Sequence, residues 1–164
     1  MKEKIEVANP YNEEHINMFK EYEQNYRPSN STYGNLLQTR NMLSESEYKK
    51  LEQERPEIVK TLFTSINGRI TSVAHLTGEK DLRRCRIIID SATNKKAQER
   101  LLTEAENYAF TNLKMAEVAV LQESENSISP SYFKQHGFDD LGTVSGMQVY
   151  TKSQEAEKIE SYHM

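Results

Sequence analysis

One asparagine–glycine pair constrains the fold of this chain more than any other feature. Residues 59–66 read VKTLFTSI and residues 69–76 read RITSVAHL, and both segments are rich in β-branched residues. Asn67-Gly68 lies between them, and this pair is favoured in a two-residue type I′ hairpin. The run Thr77–Asp81 predicts a second turn, followed by a third strand at Leu82–Asp90. The centre of the chain is therefore predicted to be an antiparallel meander.

After Asp90 the spacing of apolar residues changes from two to about 3.6, which indicates a helix. One side of this helix is predicted to be lined by Ala97, Leu101, Ala105, Tyr108 and Asn112, with Leu102, Ala109 and Leu113 beside them. Residues 116–122 (AEVAVLQ) predict a buried strand, parallel to the last meander strand with the helix as the crossover. A short helix over residues 131–135, ended by Gly137, and two terminal strands over residues 138–144 and 146–152 complete this half.

The first third of the chain predicts one short strand and two helical regions. The strand covers Ile5–Val7, and Asn12 is a suitable cap for the first helix. Residues 28–35 have the composition of a loop. The second region has two parts, and Ser44 and Glu47 form a capping-box pattern that begins the second part. The helices have apolar faces formed by His15, Met18, Phe19, Tyr22, Tyr26, Leu36, Leu37 and Leu43.

The predicted fold class is α+β, with a mixed, largely antiparallel central sheet flanked by helices. A length of 164 residues suits one domain, predicted over residues 1–152, with a polar tail over 153–164. The net charge of −4 and a single small basic cluster argue against nucleic-acid binding as a main role. No segment has the length and apolarity of a signal peptide or membrane span, so a cytoplasmic protein without a membrane partner is expected. The single Cys85 excludes an intramolecular disulfide, and no metal site is expected.

The order of the predicted elements resembles the GNAT (N-acetyltransferase) superfamily over nearly the whole chain. Residues 126–138, NSISPSYFKQHGF, are similar to the family segment N-x-x-A-x-x-x-Y-x-x-x-G-F. Asn126, Gly137 and Phe138 match it, whereas Ser129 replaces alanine and Phe133 replaces tyrosine. The resemblance implies an acyl-CoA-dependent N-acyltransferase that uses acetyl-CoA or another acyl-CoA as co-substrate. Its partner would be a small-molecule or protein amine, and a homodimer is a further expectation.

The family's other signature, R/Q-x-x-G-x-G/A before the long helix, is degenerate here. Residues 93–98 read TNKKAQ and contain no glycine. In one interpretation the helix amides, with Lys95 and Lys96, still bind the coenzyme pyrophosphate. In the other, this segment is an ordinary solvated first turn. The resemblance places cofactor-binding residues at Ile88, Ile89, Asn94, Lys95, Lys96, Ala97, Gln98, Asn126 and Phe133.

The catalytic residues are not identified by the sequence. In many family members the tyrosine of the C-terminal segment is a general acid, but Phe133 has no proton to donate. Tyr132 is adjacent, and on a helix it points about 100° away, so packing is its simpler role. His75 is a candidate base, and Asp90 is a candidate cap of the following turn. An inactive GNAT-like domain that binds a ligand or a protein therefore remains the alternative function.

Overall fold

The central hairpin forms where the asparagine–glycine pair predicts it. In this computed structural model, which describes residues 2–28, 31–90, 95–123 and 128–154, Asn67 and Gly68 have φ values of 53° and 77°. Positive φ at both positions is the type I′ requirement, and Ile66 pairs with Arg69 beside the turn. The prediction of this hairpin is confirmed.

One seven-stranded sheet with the order β1-β2-β3-β4-β5-β7-β6 organises the molecule. Its strands are β1 (Glu3–Val7), β2 (Glu57–Ile66), β3 (Arg69–Glu79), β4 (Arg84–Ile89), β5 (Glu117–Glu123), β6 (Asp139–Val144) and β7 (Met147–Ser153). The helices are α1 (Glu13–Tyr26), α2 (Thr32–Met42), α3 (Glu45–Glu54), α4 (Lys95–Asn107, continued by a π-helical turn at Tyr108–Asn112) and α5 (Pro130–Gln135). No described helix has the combination of length and apolarity needed to cross a membrane.

Strands β4 and β5 form a parallel pair, and α4 is the connection between them. The other strand pairs in the sheet are antiparallel, including β5 with β7. A mixed, largely antiparallel sheet flanked by helices is thus confirmed, as is the predicted crossover.

The second turn of the meander differs from its prediction. Thr77, Gly78 and Glu79 belong to β3, and the chain turns at residues 80–83 instead. A Cβ atom on Gly78 would lie 2.2 Å from the Arg84 carbonyl oxygen, so glycine allows two strands to approach closely here. The glycine that suggested a turn is a strand residue.

Polar side chains begin the helices. Asn12 accepts a hydrogen bond from the His15 amide, and Ser44 and Glu47 form the complete capping box, as predicted. The predicted loop over residues 28–35 ends earlier than expected, because Ser31 caps α2 and the helix starts at Thr32.

The helices cover the two faces of the sheet with separate cores. On one face α4 and α5 pack on β2–β5 and β7, where Cys85 is among the most buried residues. On the other face α1 and α2 pack on Phe63, Ile70 and Val73. Burial raises the pKa of the Cys85 thiol to about 12, so it is a structural residue at neutral pH.

Candidate active site

The two parallel strands separate at their carboxyl ends. Pairing of β4 with β5 runs from Arg84↔Glu117 to Ile88↔Leu121. Beyond that point the Asp90 amide donates to the Val73 carbonyl of β3 (2.9 Å), whereas β5 continues to pair with β7. Among the described residues, no further pair joins β4 to β5. The hydrogen-bonded ladder between β4 and β5 therefore has a gap beside the end of β4.

Helix α4 starts shortly after this gap. Lys95 and Lys96 are exposed in its first turn, while Ala97 and Gln98 are buried. The Ser72 hydroxyl of β3 donates to the Ala97 carbonyl (3.5 Å), which holds this turn against the sheet. The turn presents positive charge and helix amides on its outer side.

The other residues assigned to the cofactor lie in different environments. Ile88 is 38% exposed on the face of α1 and α2, whereas Ile89 packs against the core under α4. Phe133 is only 1% exposed and stacks on Tyr150 with a centroid distance of 3.8 Å. Asn94 and Asn126 lie outside the described residues. The structure thus places Ile88, Ile89 and the start of α4 around the gap and Phe133 in the core.

Tyr132 points from α5 towards α4. Its hydroxyl lies 2.6 Å from the Thr103 hydroxyl and 3.3 Å from the Glu99 carbonyl, and its ring stacks on His136. Burial raises the pKa of Tyr132 above its ordinary value, and the contact with Thr103 acts in the opposite direction. These contacts give the hydroxyl a packing role between two helices.

A hydrogen-bonded chain of side chains lies on the opposite face, at the end of β4. His75 Nε2 is 3.3 Å from Asp90 Oδ1, and the Tyr22 hydroxyl donates to Asp90 Oδ2 (3.1 Å). Burial, followed by the negative charge of Asp90, raises the pKa of Tyr22, so this hydroxyl keeps its proton at neutral pH. Thr61 Oγ1 lies 3.5 Å from His75 Nδ1. Asp90 thus has one oxygen for His75 and one for Tyr22.

The sequence indicated His75 and Asp90 as separate candidates and did not connect Tyr22 with either. Tyr22 and Asp90 are 68 positions apart, so no local pattern joins them. The signal that was available is the position of each residue: a histidine on the middle strand of the meander and a carboxylate directly after its last strand. Registering β3 against β4 brings the two onto one face.

A cavity of about 890 Å³ lies beside this chain. His75, Thr61 and Ile88 contribute to its floor, and α2 supplies much of its wall. In the described part of the chain, no group of three or more histidine, cysteine or carboxylate side chains is placed to hold a metal ion. The cavity is large enough for a small organic molecule with its reactive group beside His75.

This α+β architecture, a mixed and mostly antiparallel seven-stranded sheet flanked by helices, is the fold of the GNAT N-acetyltransferases. The ribosomal-protein-S5-alanine acetyltransferase of Vibrio fischeri superposes with a TM-score of 0.67 at 10% identity, over 94% of each chain. For the Campylobacter jejuni N-acetyltransferase PseH in complex with acetyl coenzyme A, the TM-score is 0.58 at 15% identity, over 93% of this chain and 99% of that one.

A third solved structure, the dodecameric spermidine N-acetyltransferase of Vibrio cholerae, gives a TM-score of 0.61 at 13% identity, over 97% of this chain and 98% of that one. No protein-family model and no curated protein matches the sequence. The similarity therefore lies in the fold, and the resemblance inferred from the sequence is confirmed at that level.

Proposed function

We propose that this protein is an acyl-CoA-dependent N-acyltransferase that transfers an acyl group, most simply acetyl, to an amine. The observation that carries the proposal is the position of His75, held by Asp90, at the point where β4 and β5 separate. Such a transfer needs a base for the amine and a site that attracts the coenzyme phosphates. His75 is the base on one face of the sheet, and the start of α4 after the gap is the phosphate site.

The gap and the first turn of α4 suit an acyl-CoA in part. Helix amides with Lys95 and Lys96 attract phosphate groups by charge, but no glycine allows the close backbone approach typical of the family. The bound acyl-CoA supplies the thioester that the amine attacks. His75 accepts the proton of the acceptor ammonium group, and Asp90 orients the imidazole and stabilises its protonated form. Backbone N–H groups of the strands beside the gap stabilise negative charge on the carbonyl oxygen.

The coenzyme leaves as its thiolate, which takes up the second proton of the attacking amine through solvent, because the C-terminal segment supplies no acid. Phe133 has no hydroxyl, and the hydroxyl of Tyr132 is bonded to α4. This observation favours the second candidate function, a GNAT-like domain that binds a ligand or a protein without catalysis. An assay of thiol release from acetyl-CoA with a panel of amines separates the two: binding with no release for any amine supports the second.

Calorimetric titration with acetyl-CoA tests the coenzyme site. We expect the wild type to bind and the double substitution Lys95→Glu with Lys96→Glu to abolish the signal, because four units of charge change beside the phosphates. Lys49→Glu with Lys50→Glu on α3 is the matched control, since Lys49 shares a cavity with Tyr108 at the opposite end of the long helix. No binding by the wild type at millimolar acetyl-CoA contradicts the proposed function. Binding unaffected by the Lys95 and Lys96 changes contradicts only the assignment of this turn.

The same proposal has four further parts: a single domain over residues 1–152, a tail over residues 153–164, a cytoplasmic location and a homodimer. Light scattering on the purified protein tests the homodimer, and a truncation after residue 152 tests the domain limit through its unfolding curve.

A further inference from the structure

The cavity beside His75 differs in charge from the rest of the molecule. The protein as a whole has a net charge of −4, but among the described residues no aspartate or glutamate lines this cavity. Its cationic side chains are Arg55 and Lys60. A cavity that collects positive charge in an acidic protein selects for a ligand with negative charge.

One of these two cations is already neutralised within the protein. Lys60 Nζ forms an ion pair with the Glu52 carboxylate on α3. Tyr48 is also hydrogen-bonded to Glu52, and burial together with the charge of Glu52 raises the pKa of Tyr48 to about 12. Lys60 therefore adds little net charge to the cavity.

Arg55 has no such partner in the described part of the chain. Its Nε is buried without a hydrogen-bond partner, and Nη2 makes only a long contact of 3.5 Å with the Val59 carbonyl. Arg55 is the C-cap of α3 and precedes Pro56, so its backbone is held in place from both sides. A guanidinium group has five donors in a fixed fork, and those of Arg55 are largely unused. Buried donors without partners call for an explanation, and a ligand provides one.

The sheet register gives the spacing between Arg55 and the base. Arg55 contacts Val59, which pairs with Thr77, and Thr61 pairs with His75 two residues further along. Two residues of a strand span on the order of 7 Å. His75 lies on the neighbouring strand, about 5 Å further across the sheet, so the guanidinium group and the imidazole line one cavity on the order of 8–9 Å apart.

We infer that the acceptor is a small amine that also carries a carboxylate, with the amine at His75 and the carboxylate on Arg55. Guanidinium and carboxylate groups form paired, charge-assisted hydrogen bonds, which Arg55 is free to make. A diamine or polyamine would instead place a second positive charge beside Arg55, where nothing in the described wall compensates it. This inference rests on the proposed function, and it separates the acceptor from the polyamine named for the spermidine N-acetyltransferase above.

Three amines with the same six-carbon chain test the inference: 6-aminohexanoate, 1-aminohexane and 1,6-diaminohexane. With acetyl-CoA, we expect wild-type kcat/KM to be about ten- to a hundredfold higher for 6-aminohexanoate than for the other two, and Arg55→Gln to remove this preference. Arg69→Gln, on the exposed hairpin turn, is the matched control and keeps the preference. Circular dichroism establishes that the Arg55 variant is folded, and Arg55→Lys, which keeps the charge, restores part of the preference.

Direct calorimetric binding of the same amines distinguishes failure of this inference from failure of the proposed function. If acetyl-CoA does not bind but 6-aminohexanoate binds and Arg55→Gln removes that binding, the acceptor assignment holds while the proposed enzyme activity fails. Equal or better use of 1,6-diaminohexane overturns the inference. A preference for 6-aminohexanoate that survives in Arg55→Gln overturns it too, as does a wild type that neither acetylates nor binds 6-aminohexanoate.

Discussion

At the scale of single residues, the proposed acyl transfer depends on side chains that hydrogen bonds from neighbouring residues hold in one orientation. His75 lies on a strand, and a strand histidine has no intrinsic catalytic character. The Asp90 carboxylate orients its Nε2, and the Tyr22 hydroxyl in turn fixes the other oxygen of Asp90. This arrangement leaves Nδ1, with its long contact to Thr61, as the nitrogen that receives a proton from the acceptor.

Replacing His75 by glutamine should lower kcat on the order of a hundredfold or more, because the acceptor ammonium loses its base. Acetyl-CoA binding should stay unchanged. His136→Gln is the control histidine, since His136 stacks on Tyr132 on the other face of the sheet. A His75→Gln variant that keeps the wild-type kcat would contradict the role of base.

Tyr132→Phe should reduce stability and leave turnover nearly unchanged. The change removes the contacts of the hydroxyl with Thr103 and Glu99, which together contribute about 0.5–1.5 kcal/mol. Urea unfolding measures the loss of stability, and the steady-state rate measures turnover. A large fall in kcat, with coenzyme binding and the fold intact, would show that Tyr132 serves as the missing acid and does not only pack between the helices.

At the scale of secondary-structure elements, the close contact of β3 with β4 depends on one glycine. A side chain at residue 78 meets the backbone oxygen of Arg84 at 2.2 Å, and this backbone belongs to a central strand. Gly78→Ala should therefore destabilise the fold by about 1–3 kcal/mol or more, as overpacked cores do.

Gly68→Ala is the matched control for that change. Residue 68 has a φ of +77° and no heavy atom within 4 Å of the added Cβ, so only the backbone preference is lost. That loss costs about 1–2 kcal/mol. In chemical unfolding, Gly78→Ala should have a lower free energy of unfolding than Gly68→Ala. The reverse order would contradict the explanation that glycine is needed for the close approach of β3 and β4.

Elements with a local chemical signal were predictable from the sequence. The Asn67-Gly68 turn and the caps at Asn12 and Ser44 each depend on residues within a few positions of one another, and all three are confirmed. The two wrong assignments depend on contacts between one element and the next. Glycine is common in turns, and the sequence does not show that Gly78 lies against the backbone of Arg84 on the next strand. The early start of α2 is supported by Glu23, which contacts both Ser31 and the Tyr33 amide.

The candidate site also has parts that the sequence predicted and parts that it did not. The positions of His75 and Asp90 followed from the predicted strands, but their hydrogen bond needed the register of the sheet. Tyr22 and Arg55 had no signal, since one belongs to a helix face and the other to a helix end. The family resemblance implied a coenzyme site at the start of the long helix, while the packing of Phe133 on Tyr150 required the fold.

At the scale of the whole molecule, one ion pair joins the edge of the sheet to the long helix. Arg100 of α4 donates from Nε and Nη2 to the two carboxylate oxygens of Glu3 in β1, at 2.7 and 2.8 Å. These hydrogen bonds lower the pKa of Glu3 below its ordinary value of 4.5. The pair therefore stabilises the fold above that pH, and the contribution is lost as the pH falls through the lowered pKa.

Glu3→Gln should flatten the pH dependence of stability below about pH 4.5 and leave a loss of about 1 kcal/mol or less at neutral pH, since Arg100 is half exposed. Urea unfolding at several pH values between 3 and 7 measures both effects. Glu104→Gln, exposed on the same helix, should leave the pH dependence as in the wild type. A Glu3 variant that loses stability equally at pH 3 and pH 7 would contradict the linkage.

The start of α4 packs on one face of the sheet and the cavity with Arg55 lies on the other, so in the proposed mechanism the two binding regions meet only at the gap between β4 and β5. A ligand that binds only the folded state stabilises it by about 2.7 kcal/mol at a hundredfold excess over its Kd. Acetyl-CoA at that excess should therefore raise the Tm of the wild type and of Arg55→Gln equally, and should not raise the Tm of the Lys95→Glu, Lys96→Glu variant. 6-Aminohexanoate should raise the Tm of the wild type and of the Lys95→Glu, Lys96→Glu variant, but not the Tm of Arg55→Gln. Differential scanning calorimetry of the three proteins measures both shifts, and an Arg55 variant that loses the acetyl-CoA shift would mean that the two ligands share one site.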